Sequence, residues 1–184
     1  MGFPKALLPY RGSTFLEYLA LLLDAQPVEP LLVVLGHEPE RIRGAVALPD
    51  RAQVLLNPAY RLGQLSSLQA AIGAIANTTP AGLLVAPVDH PCLDGPLLSL
   101  LIRTFIEETP DVLVPVYGGR RGHPVIFSAG LFAELLEAPL DQGARAVVRR
   151  HAVRQVPVQT QGVLLDVDDP EIYRRVIQRD SAGE

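Results

Sequence analysis

Residues 82–89, GLLVAPVD, are a run of aliphatic side chains that stops on a carboxylate. A short apolar stretch without polar alternation has the pattern of a strand covered on both faces. Outward from it, LLVVLG at 31–36, QVLLN at 53–57 and DVLVPVY at 111–117 share that pattern. Later strand candidates cover 124–127, 153–158 and 163–167. Stretches of helical period between them predict helices over 38–46, 64–76, 95–108, 129–137, 143–151 and 170–179. Another helix follows Thr14, where Thr14 and Glu17 have the spacing of a capping box. This alternation predicts an α/β fold with a mainly parallel sheet and helices on both faces.

With 184 residues, one domain spanning 1–184 accounts for the whole pattern. A net charge of -4 argues against a nucleic-acid partner bound through bulk positive charge. Cys92 is the single cysteine, which excludes an internal disulfide framework and a cysteine-based zinc site and makes a reducing, cytoplasmic location the expectation. The opening residues lack the pattern of a signal peptide. The apolar runs at 19–23 and 96–102 are far shorter than the ~20 residues a membrane span needs, so no membrane partner is expected.

In open α/β sheets, ligands sit beyond the carboxyl ends of the strands. The residues there are Gly36-His37, Asn57, Asp89-His90-Pro91 and the run GGRRGHP at 118–124. At a strand end, Asp89 is placed either to hold a magnesium ion against phosphates or to form a turn before His90-Pro91. Of the second acidic group, Asp169 is read as the N-cap of a helix with Pro170 at its first position, which leaves Asp166 or Asp168 to face the cleft.

Lys5 and Arg11, with Gly2 and Gly12, suit close approach to an anion, the plainer alternative being a solvated loop. NPAYRLGQLSSLQAAI sets Asn57, Gly63, Ser66 and Ser67 at a strand-to-helix transition, suited to a base or ribose or simply to a capped helix. YGGRRGHPVIF concentrates flexible backbone and cations ahead of a strand, with a hairpin loop as the alternative. LDQGARAVVRRH puts Asp141, Gly143 and Arg145 at a helix start, where a cap and a solvated basic face also fit. The four histidines lack the mutual spacing of a zinc site, and none is assigned to a metal.

In order along the chain, MGFPKALLPYRGSTFLEY, NPAYRLGQLSSLQAAI, VDHPCL, GGRRGHPVIF, LDQGARAVVRRH and LDVDDPEIY resemble the nucleotidyltransferases of the molybdenum cofactor cytidylyltransferase type. These lie within the wider molybdenum cofactor guanylyltransferase-like superfamily, and GHPVIF and DQGAR look like the cytidylyltransferase branch. The resemblance implies a Rossmann-like three-layer fold. It also implies Mg2+-assisted transfer of CMP from CTP to a molybdopterin-type cofactor, with release of pyrophosphate.

By the same resemblance, Lys5 contacts the triphosphate and Asn57, Gly63 and Ser66 help hold the nucleoside. Asp89 binds the metal with Asp168 or Asp166. Gly122, His123 and Pro124, with Asp141 and Arg145, shape the acceptor side. A molybdoenzyme or its maturation chaperone is the implied protein partner. The alternatives are a GTP-using branch, another phosphorylated acceptor such as a sugar phosphate, or a non-catalytic binding protein.

Two positions depart from the family pattern: His90 stands where Gln or Met is common, and Asp169 where Thr is common. Family members also carry an apolar strand and a Gly-rich loop, LAAGxSxR, ahead of the MGxPK segment. Only the second part is present, so the expectation is an amino-terminally shortened chain whose sheet lacks its first strand.

Overall fold

Thr14 starts the first helix as its spacing with Glu17 predicts: its side chain accepts from the Glu17 amide, and the Glu17 carboxylate accepts from the Thr14 amide at 2.8 Å. A second Glu17 oxygen accepts from the Ala47 amide, which ties this helix start to a loop 30 residues away. The computed structural model describes residues 3–181, so Gly2 lies outside the described residues. Ahead of the helix, β1 (Pro9–Tyr10) and β2 (Ser13–Thr14) form a hairpin. Arg11 and Gly12 are its turn, both at positive φ, as two-residue hairpin loops require. The Arg11 guanidinium lies over Tyr10 and Tyr18 and donates to the Tyr18 hydroxyl.

The remaining elements follow in alternation: α1 (Phe15–Asp24), β3 (Leu31–Leu35), α2 (Pro39–Arg43), β4 (Ala52–Leu56), α3 (Gln64–Ala74), β5 (Gly82–Val85) and α4 (Gly95–Glu108). After them come β6 (Val112–Tyr117), β7 (Arg120–Arg121), β8 (Val125–Ser128), α5 (Phe132–Glu137), α6 (Arg145–Val148), β9 (Val153–Pro157) and α7 (Pro170–Ser181). The α/β class is as the sequence predicts. β3 pairs parallel with β4, and β6 with β9, whereas β8 runs antiparallel between β5 and β6. Thus β5, β6 and β9 share one direction, while β8 and the short β7, which also pairs antiparallel with β6, are reversed. Among the described residues no strand pairs β3 to β5, and β3–β4 form a sheet of their own.

Helices cover both faces of the larger sheet. On one face Leu113 and Ile126 pack with Leu98, Leu101 and Phe105 of α4. On the other, Val112, Val114 and Phe127 pack with Leu68 and Ile72 of α3, Leu135 of α5 and Val147 of α6. Complete burial of one such side chain contributes roughly 1.5–3 kcal/mol, so the two layers hold the strand ends in place.

Residues 163–167, expected as a strand, take another form. Gln161–Leu164 is a 3-10 turn, started by Thr160, whose hydroxyl accepts from the Gly162 amide. The cause is tight packing. A Cβ at Gly162 would lie 2.1 Å from the Cys92 carbonyl oxygen, so the turn lies directly on the segment after β5. Past it, the Val167 amide donates to the Asp89 carbonyl at 2.8 Å. This one bond brings Asp166 and Asp168, the two neighbours of Val167, to the end of β5.

Candidate active site

Three chain segments meet beyond the carboxyl end of β5. The first is the 3-10 turn Lys5–Leu7, anchored by the buried Ala6 and Leu7. The second is Asp89-His90, and the third is Asp166–Asp168. Lys5 Nζ donates to Asp89 Oδ2 at 3.1 Å and to Asp168 Oδ1 at 2.5 Å, and lies 3.8 Å from Asp166 Oδ1. Burial works to lower the Lys5 pKa, but the hydrogen bonds to Asp168 and Asp89 outweigh it, and the net shift is upward. The ammonium is therefore held charged. The same bond from Lys5 lowers the Asp168 pKa. Asp166 shifts the other way, raised by burial and then by the Asp89 charge.

The His90 and His123 rings lie tilted against each other beside this cluster, with centroids 4.4 Å apart and planes at 48°. Burial lowers the pKa of both. For His123 the value falls to about 4, with the neighbouring His90 adding to the effect, so both rings are neutral at physiological pH. The cleft, about 380 Å³, is lined by Gln64, Asp89, His90, His123, Arg145 and Asp166 among others. Nδ1 of His90, Nδ1 of His123 and Oδ1 of Asp166 are buried without a hydrogen-bond partner among the described residues. Buried polar atoms of this kind normally have partners, so the donor set fits a divalent cation.

The structure sorts the residues singled out in the sequence. Lys5, Asp89, Asp166, Asp168, His123 and Arg145 come together at this cleft. Asn57 and Ser66 are buried and bonded to each other: the Asn57 amide donates to the Ser66 and Ser67 hydroxyls, and its oxygen accepts from the Ala59 amide. They brace the loop between β4 and α3. Gly63 begins α3 at φ 103, a conformation that glycine adopts without strain.

Gly122 is a close approach, since a Cβ there would lie 2.3 Å from the Val163 carbonyl oxygen. The His123 amide donates to that same oxygen, and Pro124 beside it is buried. Asp141 is exposed, and it does not cap α6, which starts after Ala144 without a side-chain cap bond. Asp169 does cap its helix, accepting from the Glu171 and Ile172 amides. The sequence pattern does not single out His90 as a residue of this cleft. Its place between Asp89 and Pro91 is the available signal, because a strand-end carboxylate carries its neighbour into the same cleft.

The family described as MobA-like NTP transferase domain matches residues 1–156. The chain is 30% identical over 156 residues to nicotine blue oxidoreductase of Paenarthrobacter nicotinovorans, a match covering 80% of this chain and 74% of that protein. It is 21% identical over 173 residues to the molybdenum cofactor cytidylyltransferase of Escherichia coli (strain K12), covering 94% and 86% respectively. Among solved structures, the manganese complex of Rv0371C from Mycobacterium tuberculosis H37Rv superposes with a TM-score of 0.77 at 30% identity, over 96% of this chain and 93% of that one.

Proposed function

Because the chain belongs to the MobA-like NTP transferase domain family, a family of nucleotidyltransferases, we propose that it transfers CMP from CTP to a molybdopterin-type molybdenum cofactor and releases pyrophosphate. The observation that carries this reading is the Lys5 ammonium held between Asp89 and Asp168 in a cleft that also takes in His123 and Arg145. A terminal phosphate oxygen of the acceptor attacks the α-phosphorus of CTP. The bond from that phosphorus to the α–β bridging oxygen breaks, and pyrophosphate leaves with the electron pair.

Such chemistry is mainly positioning and charge neutralisation. Lys5 moves from its carboxylate partners to the triphosphate and stabilises the charge that builds as pyrophosphate departs. A divalent cation at Asp89 with Asp166 or Asp168, Mg2+ in the family-based reading, would neutralise phosphate charge. The loop braced by Asn57 and Ser66, with Gly63, receives the nucleoside. The acceptor lies against Gly122, His123 and Pro124, with Arg145 supplying a cation and Asp141 standing at the edge of that side. The product passes to a molybdoenzyme or its maturation chaperone in the cytoplasm. No described helix is long and apolar enough to cross a membrane.

CTP is taken rather than GTP on the cytidylyltransferase-like GHPVIF and DQGAR motifs, supported by a similarity to a cytidylyltransferase over 94% of the chain at 21% identity, against 55% at 37% for a guanylyltransferase of Xanthomonas euvesicatoria. Pyrophosphate release is the test, measured with CTP or GTP, with and without molybdenum cofactor and Mg2+. Release that needs both CTP and the cofactor supports the proposal. No release, or release with GTP alone, overturns it. The 30% identity to a protein named an oxidoreductase favours one second reading, in which the cleft serves redox chemistry. Consumption of nicotine blue that depends on an added hydride donor, oxidised in equal amount, in place of pyrophosphate release would establish it.

A further inference from the structure

One ring nitrogen of His90 and one carboxylate oxygen each of Asp89 and Asp166 lie within 4.8 Å of one another. Two ligands of a single ion, each at ~2.1 Å, stand at most about 4.2 Å apart, so sub-ångström side-chain movement closes the set. The His90 ring is only 8% exposed, lines the cleft, and keeps a nitrogen without a hydrogen-bond partner among the described residues. A buried imidazole in that condition costs free energy unless something accepts its lone pair or its proton. The Oδ1 atom of Asp166 likewise has no hydrogen-bond partner among the described residues, and its nearby cation, Lys5 Nζ, stands 3.8 Å away.

We propose that Asp89, His90 and Asp166 form a mixed nitrogen and oxygen site that binds a transition-metal ion such as Mn2+ more tightly than Mg2+. Magnesium demands near-octahedral oxygen ligation and keeps much of its water, whereas imidazole suits the first-row transition metals; manganese, at the weak end of their affinity order, also takes carboxylate oxygens and so accepts the mixed set. His90 is thus the residue that sets metal preference. Asp168 plays a separate part. Bonded to Lys5 at 2.5 Å, it retains the ammonium when Asp89 turns to the metal. The inference rests on the nucleotidyltransferase reading for its purpose, but it concerns affinity in the absence of nucleotide, and Mg2+ remains able to support turnover.

The test is Mn2+ binding followed by electron paramagnetic resonance, with Mg2+ as competitor and no nucleotide present. The expected result is a preference for Mn2+ and a nitrogen coupling to the bound ion. In His90→Gln the coupling disappears and Mn2+ affinity falls by no less than the roughly 10–100-fold typical of losing an outer-shell partner, while Mg2+ affinity changes little. In His123→Gln the coupling persists. In Asp168→Asn metal affinity is largely kept, whereas in Asp166→Asn it drops.

The wild-type spectrum needs no variant to fold. Mn2+ bound without nitrogen coupling, a His90→Gln chain with unchanged preference, or no Mn2+ binding by the wild type would each overturn the proposal. A protein that shows the coupling but no pyrophosphate release would retain this site and refute the proposed reaction instead.

Discussion

Lys5 Nζ donates to Asp89 Oδ2 at 3.1 Å, joining the turn at the start of the described chain to the end of β5 across 84 residues. The bond is half of a bridge. The other half runs to Asp168, so one ammonium ties together three segments that are remote in sequence. A cation held between carboxylates is charged, positioned and available to an incoming polyphosphate that competes for it.

Replacement of Lys5 by Met removes that cation while keeping most of the side-chain length. Loss of one preorganised charge contact in a transition state costs on the order of 10²–10³ in kcat. Steady-state kinetics of Lys5→Met should show a fall of that size. Retention of full activity would remove Lys5 from the reaction.

Asp89 touches the same cleft from the strand end, with its side chain 29% exposed. Asp89→Asn keeps the shape and removes the charge. Metal-dependent turnover should be abolished while the thermal melting curve stays close to that of the parent, because part-exposed ion pairs contribute only about 0–1 kcal/mol. Unchanged turnover would exclude Asp89 as a metal ligand.

Gly162 supports the third segment by its lack of a side chain. A methyl group there meets the Cys92 carbonyl oxygen at 2.1 Å, and the backbone must move. Overpacking of this kind costs about 1–3 kcal/mol. Gly162→Ala should lower the denaturation midpoint and also reduce activity, since Asp166 and Asp168 are carried by the displaced segment. A stable variant with full activity would show that this contact does not position the carboxylates.

Away from the cleft, His151 meets Glu134 Oε2 at 2.5 Å and Asp111 Oδ2 at 3.3 Å. The hydrogen bond to Glu134 is the main cause that raises its pKa above the ordinary 6.5, against a smaller loss from burial. The folded state therefore holds the proton more tightly than the unfolded chain. Its stabilisation is complete below pH ~6.5 and is lost as pH rises through the folded pKa. An NMR titration should place the His151 midpoint above 6.5, and Glu134→Gln should bring it down. A midpoint at or below 6.5 in the parent would contradict the pairing.

Much of the fold is legible in the sequence because it is local. The capping box at Thr14 and Glu17, the cap at Asp169 and the apolar runs at β3, β5 and β6 depend on neighbours a few residues away, and each forms as its spacing predicts. The reversed direction of β8 is not legible, since pairing partners are set by tertiary packing and leave no periodic trace. Residues 163–167 mislead for a related reason. Val163 and Val167 are fully buried, as strand residues often are, but the close contact of Gly162 with Cys92 imposes a turn. At the site, Lys5, Asp89 and the later carboxylates are marked by their places at element ends and by family resemblance. The sharing of one ammonium among them, and the insertion of His90 into the group, follow from the Val167 to Asp89 hydrogen bond, which spacing along the chain does not encode.

The most direct measurement is the mass of the reaction product. The protein is incubated with CTP, molybdenum cofactor and a divalent cation, and the cofactor is recovered and weighed by mass spectrometry. The expected result is the cofactor enlarged by one cytidylyl group, with pyrophosphate formed in equal amount and no such product from Lys5→Met. Recovery of unmodified cofactor from a folded, cofactor-binding protein would contradict the proposed reaction.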